Sequence, residues 1–431
     1  MTSTPRADVV VIGAGITGAA TAAALAEQGL TVVVVEKEAG PAYEGSGRAQ
    51  GSLRVQGRHA SEFPLALEAM RLWEQAAAED KEHDLELVRG GNLYIATDPD
   101  EEPLLLSLAE EARHAGLDEV RYLEADETRS IIPAATGQFL GAMWSPYDAQ
   151  AQPELATRLF VRRAERAGVT FLFSTRVTQL LQSGNRITGL STTAGTLRPD
   201  AVVVAAGVWT SHLLAEVGMH LPLMPVILSE LETDPMPSLF RPSVRAFGFG
   251  ARQRPDGRLV VSAGLGAVVT RRASLYDVNG MRHWLPRAMA FRKNLRIRVD
   301  AHQLARELGS RSSIGAHLIP DTSPEPPCDQ TSVVRALGRL ATVFPAARDA
   351  TVQRYWGGLV DMTPDGLPVI DRCGPDGLTV LAGLCGHGLA IGPALGLVAA
   401  DLVTGTASTF DLSCFALSRF DEAVSSPEVM I

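Results

Sequence analysis

Hydrophobic residues near the start of the chain occur in two patterns, separated by glycines. A β-forming run, 9–12, is followed by the stretch Gly13-Ala14-Gly15-Ile16-Thr17-Gly18 and an alanine-rich segment that reaches Glu27. A second β-forming run, 32–35, ends at Glu36. A short continuous apolar run is typical of a strand buried on both faces, and the alanine-rich segment is typical of a helix. The pattern therefore predicts a βαβ unit over residues 8–37.

The three glycines of this unit suit a bound nucleotide diphosphate. Gly13 permits a tight turn, Gly15 lets the backbone approach a pyrophosphate, and Gly18 lets helix and strand pack closely. The phosphates would lie at the helix N-terminus, where N–H groups and the helix dipole favour an anion. Glu36 can accept both hydroxyl protons of an adenosine ribose, which argues against the 2′-phosphate of NADP. The motif alone does not distinguish FAD from NAD.

The next part of the chain carries a glycine-rich passage and then a mixed pattern. Residues 45–54 are polar and are either a surface loop or a segment that wraps a ligand. Helical spacing returns over 64–78 and over 101–116, and a turn at 89–92 precedes a strand at 93–96. We interpret the region after residue 85 as the beginning of a second domain.

An α/β pattern resumes at Gln152 and recurs late in the chain. The predicted elements are a helix over 152–168, a strand over 169–173, a strand pair around Val177 and 187–190, an apolar strand from Ala201 towards Gly207, a strand over 379–382 and a helix over 393–403. Segments typical of a nucleotide fold thus lie at the start, middle and end of the chain. This order predicts a discontinuous cofactor domain that a substrate domain interrupts.

Residues 222–350 show alternating strands with turn signals. The sequence Arg254-Pro255-Asp256-Gly257 between two β-forming runs predicts a hairpin, and hence an antiparallel sheet. Residues 284–308 are helical in pattern and locally basic, which is typical of a solvated helix face; contact with an anionic membrane or a partner is the alternative. Residues 320–327 form a proline-rich connector.

Composition narrows the class of protein. A chain of 431 residues favours two domains, and a net charge of −10 argues against a nucleic acid partner. The four cysteines show no CxxC spacing or metal-like pairing with histidine, so we predict reduced thiols and no metal site. The first strand begins too early for a signal peptide to precede it, so the sequence predicts a cytoplasmic protein without membrane contact.

Several motifs together resemble one known family. They are the glycine motif with Glu36-Lys37, the stretch from Ser46 to Arg54, the stretch from Ala205 to Trp209, Trp356-Gly357-Gly358, the stretch from Thr363 to Ile370, and Gly386-His387-Gly388. The chain resembles the FAD-dependent oxidoreductases of the D-amino-acid oxidase type, particularly the sarcosine oxidase, glycine oxidase and D-hydroxyproline dehydrogenase branch. The resemblance covers nearly the whole chain.

The resemblance implies an α/β fold with a discontinuous Rossmann-like FAD-binding domain and an α+β substrate domain built on an antiparallel sheet. The FAD-binding domain would comprise 1–85, 150–221 and 351–431, and the substrate domain 86–149 and 222–350. The residues implied to contact FAD are Gly13, Gly15, Ile16, Thr17, Gly18, Glu36, Lys37, Ser46, Gly47, Gln50, Gly51, Ser52, Val177, Ala206, Gly207, Trp209, Gly358, Gly386, His387, Gly388 and Leu389. The last four would give backbone donors to the flavin pyrimidine end.

Two departures from the family pattern shape the expected site. Gly358 stands where members with a covalently held flavin have cysteine, so noncovalent FAD is expected. Ala390 stands where sarcosine-type members have a lysine that grips the substrate carboxylate. A carboxylated substrate would therefore need another cation, for which Arg54 is the first candidate, with Arg58 or Arg252 as substitute. His387 is a further catalytic candidate, and a structural role as a helix cap is its alternative.

The resemblance implies an enzyme that oxidises the C–N bond of an amino acid or a secondary or N-methyl amine. A hydride would pass to flavin N5, and water would hydrolyse the resulting imine. The substrate is then a small molecule, and oxygen or an electron carrier is the acceptor. The alternative is a flavin-carrying, beta-type subunit of a multi-subunit amine dehydrogenase that relays electrons to partner proteins. A homo-oligomer is also left open.

Overall fold

The computed structural model describes residues 7–264, 269–272, 282–285, 289, 295–298, 301, 305, 308 and 315–421. Its strands are β1 (Val9–Ile12), β2 (Val32–Val35), β3 (Ser52–Leu53), β4 (Asn92–Ala96), β5 (Arg121–Glu124), β6 (Gly141–Ser145), β7 (Ala149–Gln150), β8 (Thr170–Leu172), β9 (Val177–Ser183), β10 (Arg186–Thr192), β11 (Gly195–Leu197), β12 (Ala201–Val204), β13 (Met224–Thr233), β14 (Ser243–Ala246), β15 (Phe249–Gln253), β16 (Leu259–Ser262), β17 (Val269–Arg272), β18 (Leu295–Arg298), β19 (Val352–Met362), β20 (Val369–Asp371) and β21 (Leu378–Ala382). Its α-helices are α1 (Ile16–Glu27), α2 (Gly45–Arg48), α3 (Phe63–Glu79), α4 (Glu102–His114), α5 (Ala125–Ile131), α6 (Pro153–Arg166), α7 (Thr210–Leu214), α8 (Gln330–Val343) and α9 (Gly388–Thr404).

Six strands from three distant parts of the chain form one sheet, in the order β20-β21-β12-β1-β2-β8. All neighbours are parallel except β20 and β21. The predicted βαβ unit is therefore confirmed, because β1 and β2 pair in parallel and α1 connects them. The prediction of a mixed α/β fold with a Rossmann-like parallel core is also confirmed.

Alternate residues of the parallel strands supply two hydrophobic cores, one on each face of this sheet. Val9 and Val11 belong to the core that includes α1, α3, α6 and α9, whereas Val10 and Ile12 belong to the core on the opposite face. Helix α9 packs tightly on α1, since a Cβ on Gly396 would lie 2.7 Å from the backbone of Ala20. Among the described helices, none has both the length and the apolar character needed to cross a membrane.

A larger sheet of ten strands is mainly antiparallel, as the alternating pattern predicts. Strands β15 and β16 form the expected hairpin around residues 254–257. The exceptions are β4 with β14 and β17 with β18, which pair in parallel. Helix α8 packs against the face that carries Leu231 and Val261. Strand β19 pairs with β13 along most of its length and so belongs to this sheet. The boundaries of the FAD-binding and substrate domains that we give from the sequence stay a prediction.

Two element predictions are wrong. Leu295–Arg298, inside the predicted helix over 284–308, forms strand β18, because its alternating apolar and basic residues also suit a strand beside β17. Much of that segment lies outside the described residues. Helix α9 begins at Gly388 rather than Pro393, which lies inside the helix. The buried apolar residues from Leu389 onward pack against α1 and α3, and this tertiary packing outweighs the local effect of the proline.

Candidate active site

A cavity of about 530 Å³ lies between the two sheets. One wall is formed by residues at the carboxyl ends of the parallel strands, where α/β sheets generally bind ligands. The other wall is formed by β13, β14, β16 and β19 of the larger sheet. The cavity therefore joins a nucleotide-type site to the surface of an antiparallel sheet, as the discontinuous pattern predicts.

The glycine turn after β1 has the shape that a pyrophosphate needs. Gly13 has φ of +107°, which favours glycine, and a Cβ on Gly18 would lie only 2.0 Å from the carbonyl oxygen of Gly13. The backbone N–H of Ile16, at the start of α1, donates to the Oγ of Ser46 at 3.0 Å. Gly13, Gly15, Ile16 and Thr17 line the cavity, whereas Gly18 acts through packing.

Glu36 and Lys37 lie together at one end of this cavity. The Glu36 carboxylate accepts N–H bonds from Ala14 at 2.7 Å and Glu38 at 2.9 Å, and burial raises its pKa. Each carboxylate oxygen has a second lone pair for a ribose hydroxyl. The Lys37 ammonium is already held by Glu38, by Glu44 at 2.9 Å and by Ser323 at 2.6 Å. Glu36 is therefore the better-placed ribose ligand of the two.

The glycine-rich passage after residue 44 covers one side of the cavity. It contains α2 and β3, and its residues Ser46, Gln50, Gly51 and Ser52 line the cavity. Gly47 does not line it, so the predicted direct contact of Gly47 is corrected. A Cβ on Gly47 would lie 1.8 Å from the carbonyl oxygen of Ala42, so this glycine permits close packing of the turn. The predicted positions Val177, Ala206, Gly207, Trp209 and Gly358 also line the cavity.

The predicted backbone donors at 386–389 line the cavity, with one change of role. The His387 N–H donates to the carbonyl oxygen of Leu384 at 2.7 Å, so it is not directed to a ligand. Gly388 and Leu389 lie in the first turn of α9, where N–H groups have no acceptor in their own helix. These two residues are consequently the stronger donors for an anionic ligand edge.

The His387 side chain is buried beside a carboxylate. Its Nδ1 lies 3.1 Å from Oε2 of Glu62, and burial lowers the His387 pKa to about 4. The Glu62 pKa stays below its usual value because Arg58 and His387 outweigh the effect of burial. Neutral His387 therefore donates from Nδ1 to ionised Glu62, which leaves Nε2 as a hydrogen-bond acceptor.

The three predicted arginines differ in position. Arg54 lines the cavity and donates to the carbonyl oxygen of Gly57 at 3.4 Å. Arg58 does not line it, and its guanidinium donates to the carbonyl oxygen of Arg54 at 2.6 Å and to Glu62 at 3.3 Å. Arg252 lies on β15 as expected, but it does not line the cavity either.

The Arg252 guanidinium is used within the protein. It donates to the carbonyl oxygen of Gln50 and, at 2.7 Å, to the side-chain oxygen of Gln152. The proposal of Arg58 or Arg252 as substitute anchors is therefore corrected, because neither guanidinium faces the cavity.

The cavity residues that were not predicted include two buried charged side chains, Arg245 on β14 and Glu230 on β13. The Arg245 guanidinium lies over the Tyr94 ring, 5.8 Å from its centroid, and burial lowers its pKa. Glu230 is 5% exposed, and burial raises its pKa to about 8. Alternation along each strand could have suggested a buried charge at both positions, but it could not have indicated that they share a cavity.

Comparison with known proteins identifies the family. A family model described as FAD dependent oxidoreductase (DAO) matches residues 8–402. The chain belongs to this family. FAD, the cofactor of this family, fits the cavity described above. The glycine turn suits its pyrophosphate, the Glu36 carboxylate suits its ribose, and the N-terminus of α9 suits the edge of the flavin that becomes negative on reduction.

Several relatives of this FAD-dependent oxidoreductase cover it almost completely. Glycine oxidase of Geobacillus kaustophilus is 30% identical over 96% of this chain and 98% of its own length. N-methyl-L-tryptophan oxidase of Citrobacter koseri is 26% identical over 96% of this chain and 99% of its own. The solved structure of L-amino acid deaminase from Proteus myxofaciens in complex with anthranilate has a TM-score of 0.86 and 25% identity, covering 98% of this chain and 95% of that one.

Proposed function

We propose that this FAD-dependent oxidoreductase oxidises the C–N bond of a carboxylated amine, either an amino acid or an N-methyl amino acid. The observation that carries the proposal is a buried excess of positive charge in and beside the cavity. The cluster contains the buried arginines Arg54, Arg58 and Arg245, and the carboxylates Glu62 and Asp148 act on their charges. With both acids ionised, these five groups carry a net charge of +1, which favours an anionic ligand.

The electrostatics of Arg54 support an anionic substrate. Burial, then the charges of Arg245 and Arg58, hold the Arg54 pKa well below its usual value. A carboxylate placed between Arg54 and Arg245 would relieve this repulsion and would receive charge-assisted hydrogen bonds. Arginine is suited to this role because its planar donors match a carboxylate in pairs. The charge of the cavity therefore selects for an acid group on the substrate.

Positioning would be the main task of the protein in this reaction. When bound, FAD would supply the acceptor for a hydride from the carbon next to the substrate nitrogen, and water would hydrolyse the imine product. The arginines would orient the substrate by its carboxylate, which holds the reacting carbon at attack distance. His387, neutral and fixed by Glu62, would offer Nε2 as a hydrogen-bond acceptor that orients the substrate amine, which must be neutral to react.

The relatives support the same substrate class. Two are named as oxidases of glycine and of N-methyl-L-tryptophan, and the third is a deaminase in complex with anthranilate, which carries a carboxylate. We further propose that FAD is held noncovalently, because Gly358 offers no side chain for a covalent link. A Cβ at Gly358 would lie 3.3 Å from Arg48, so this wall is already closely packed.

The proposal can be tested by anaerobic mixing with amines while the flavin absorbance is followed. The panel contains both enantiomers of common amino acids, N-methyl amino acids and the corresponding decarboxylated amines. We expect carboxylated members to bleach the flavin and their decarboxylated counterparts to react far more slowly. Equal reaction of both would contradict a carboxylate-selective site. Bleaching that occurs only after partner proteins are added would instead support the electron-relaying subunit.

A further inference from the structure

A row of residues crosses the cavity side of the large sheet from Arg245 to Glu230. Arg245 is paired with Gly250, Gly250 with Ser262, and Ser262 with Glu230, each directly opposite on neighbouring strands. Directly paired residues point to the same face. Neighbouring strands are about 4.8 Å apart, so three steps separate the two backbones by roughly 14 Å. The row thus has a basic end and an acidic end.

The acidic end contains an unsatisfied carboxyl oxygen. Oε2 of Glu230 is buried and has no hydrogen-bond partner in the described part of the chain. Two residues further along β13, Glu232 is also buried, but it pairs with Arg254 at 3.0 Å and with Arg354 at 3.3 Å. Buried polar atoms in folded proteins are nearly always satisfied, so a carboxyl oxygen without a protein partner on a cavity wall is a candidate contact for a ligand.

Arg252 does not account for Glu230. Its positive charge acts to lower the Glu230 pKa, but burial has the larger effect and the pKa is raised. The hydrogen bonds that we find for the Arg252 guanidinium go to Gln50 and Gln152. Glu230 therefore lies near a cation without being bonded to it.

The middle of the row is polar as well. Gly250 leaves space for the side chain of Gln50, because a Cβ on Gly250 would lie 3.3 Å from the Gln50 Nε2. This Nε2 is buried and, like Oε2 of Glu230, lacks a hydrogen-bond partner among the described residues. Ser262 in the row and the adjacent Gln50 thus add polar side chains between its two charged ends. This wall is suited to an elongated polar ligand rather than an apolar side chain.

We propose that Glu230 determines substrate specificity by receiving a basic group, an amine or a guanidinium, at the side-chain end of the substrate. This inference rests on the proposed function, in which the α-carboxylate lies at Arg245 and Arg54. The substrate class would then be amino acids with long basic side chains. A cationic group would ionise Glu230 and pair with it, satisfying the carboxyl oxygen that now lacks a partner.

The first test compares lysine with norleucine, which has the same chain but no terminal amine. We expect the wild type to prefer lysine in kcat/KM, and Glu230→Gln to reduce the lysine-to-norleucine ratio about tenfold or more. Glu232→Gln is the matched control, because it removes a buried carboxylate of the same strand that does not line the cavity. It should leave the ratio unchanged. A ratio that is equal in the wild type and Glu230→Gln would overturn the inference.

A second measurement does not depend on turnover. Calorimetric binding of 6-aminohexanoate, which is lysine without its α-amine, is compared with binding of hexanoate to the FAD-loaded enzyme. We expect the wild type to bind 6-aminohexanoate more tightly and Glu230→Gln to lose that preference. Equal affinities in the wild type would refute the role of Glu230. A preference that depends on Glu230, without oxidation of any amino acid, would instead support this site and refute the proposed function.

Discussion

Arg245→Met offers the sharpest test of the substrate carboxylate site, because its expected effects on stability and activity have different signs. Methionine keeps an apolar stem on β14 but removes the charge. Among Arg54, Arg58, Arg245, Glu62 and Asp148, the net charge falls from +1 to zero with both acids ionised. The variant should therefore unfold at the same temperature as the wild type or higher, since one like-charge repulsion is lost.

Activity should fall at the same time. Removing the charged partner of a desolvated substrate carboxylate should weaken transition-state binding by about 2–5 kcal/mol. This loss corresponds to a decrease in kcat/KM of roughly 30-fold to 5,000-fold. The assay is steady-state oxidation of the best carboxylated substrate and of its decarboxylated amine, combined with thermal unfolding. Arg335→Met, on the exposed side of α8, is the charge-matched control and should change neither quantity. An unchanged kcat/KM for the carboxylated substrate would refute the assignment of Arg245.

Three further predictions concern the cofactor site and pH. Glu36→Gln should weaken FAD binding by about 1.5–3 kcal/mol, measured as the dissociation constant of the apoprotein; an unchanged constant would exclude Glu36 as ribose ligand. Gly18→Ala should abolish FAD retention or folding, whereas Gly338→Ala in α8, where a Cβ would have nothing within 4 Å, should raise the free energy of unfolding by about 0.4–1 kcal/mol. The His387 pKa is about 4 in the folded state, below the usual 6.5. Between pH 4 and pH 6.5 the unfolded chain therefore binds a proton at His387 that the folded protein does not bind. His387 should therefore destabilise the protein as pH falls from 6.5 to 4, and urea unfolding of His387→Asn should show a shallower loss; equal slopes would contradict a neutral buried His387.

The glycine motif and the parallel strands could be predicted because their signals are local. Buried parallel strands appear in the sequence as continuous apolar runs. The turn between β1 and α1 requires glycines for its tight backbone, and their spacing marks the start of the helix. The segment at Leu295–Arg298 illustrates the limit, since its alternation of leucine, isoleucine and arginine fits a helix face and a strand alike. The segment is a strand because it pairs with β17. This partner strand lies outside the local sequence window from which a helix or a strand is predicted.

The substrate side of the site was less predictable, because it depends on strand register. Arg252 and Arg245 lie on neighbouring strands, yet Arg245 faces the cavity while the Arg252 guanidinium bonds to the Gln50 carbonyl. The sequence shows only that both arginines lie near a hairpin, and it does not indicate which of the two faces the cavity. Glu230 is found only once its unsatisfied oxygen is seen, since a glutamate in a strand is more often exposed or paired.

The contact of α9 with α1 has a consequence for biosynthesis. The ribosome makes α1 (Ile16–Glu27) long before it makes α9 (Gly388–Thr404), which covers α1 through Gly392 and Gly396. Until then the nascent chain carries an apolar helix without its cover, and such exposed surface is prone to misassembly. We therefore expect the polypeptide to rely on chaperones during synthesis and to acquire its flavin only after α9 has been made. A messenger truncated before Gly388 would yield a product that proteases remove.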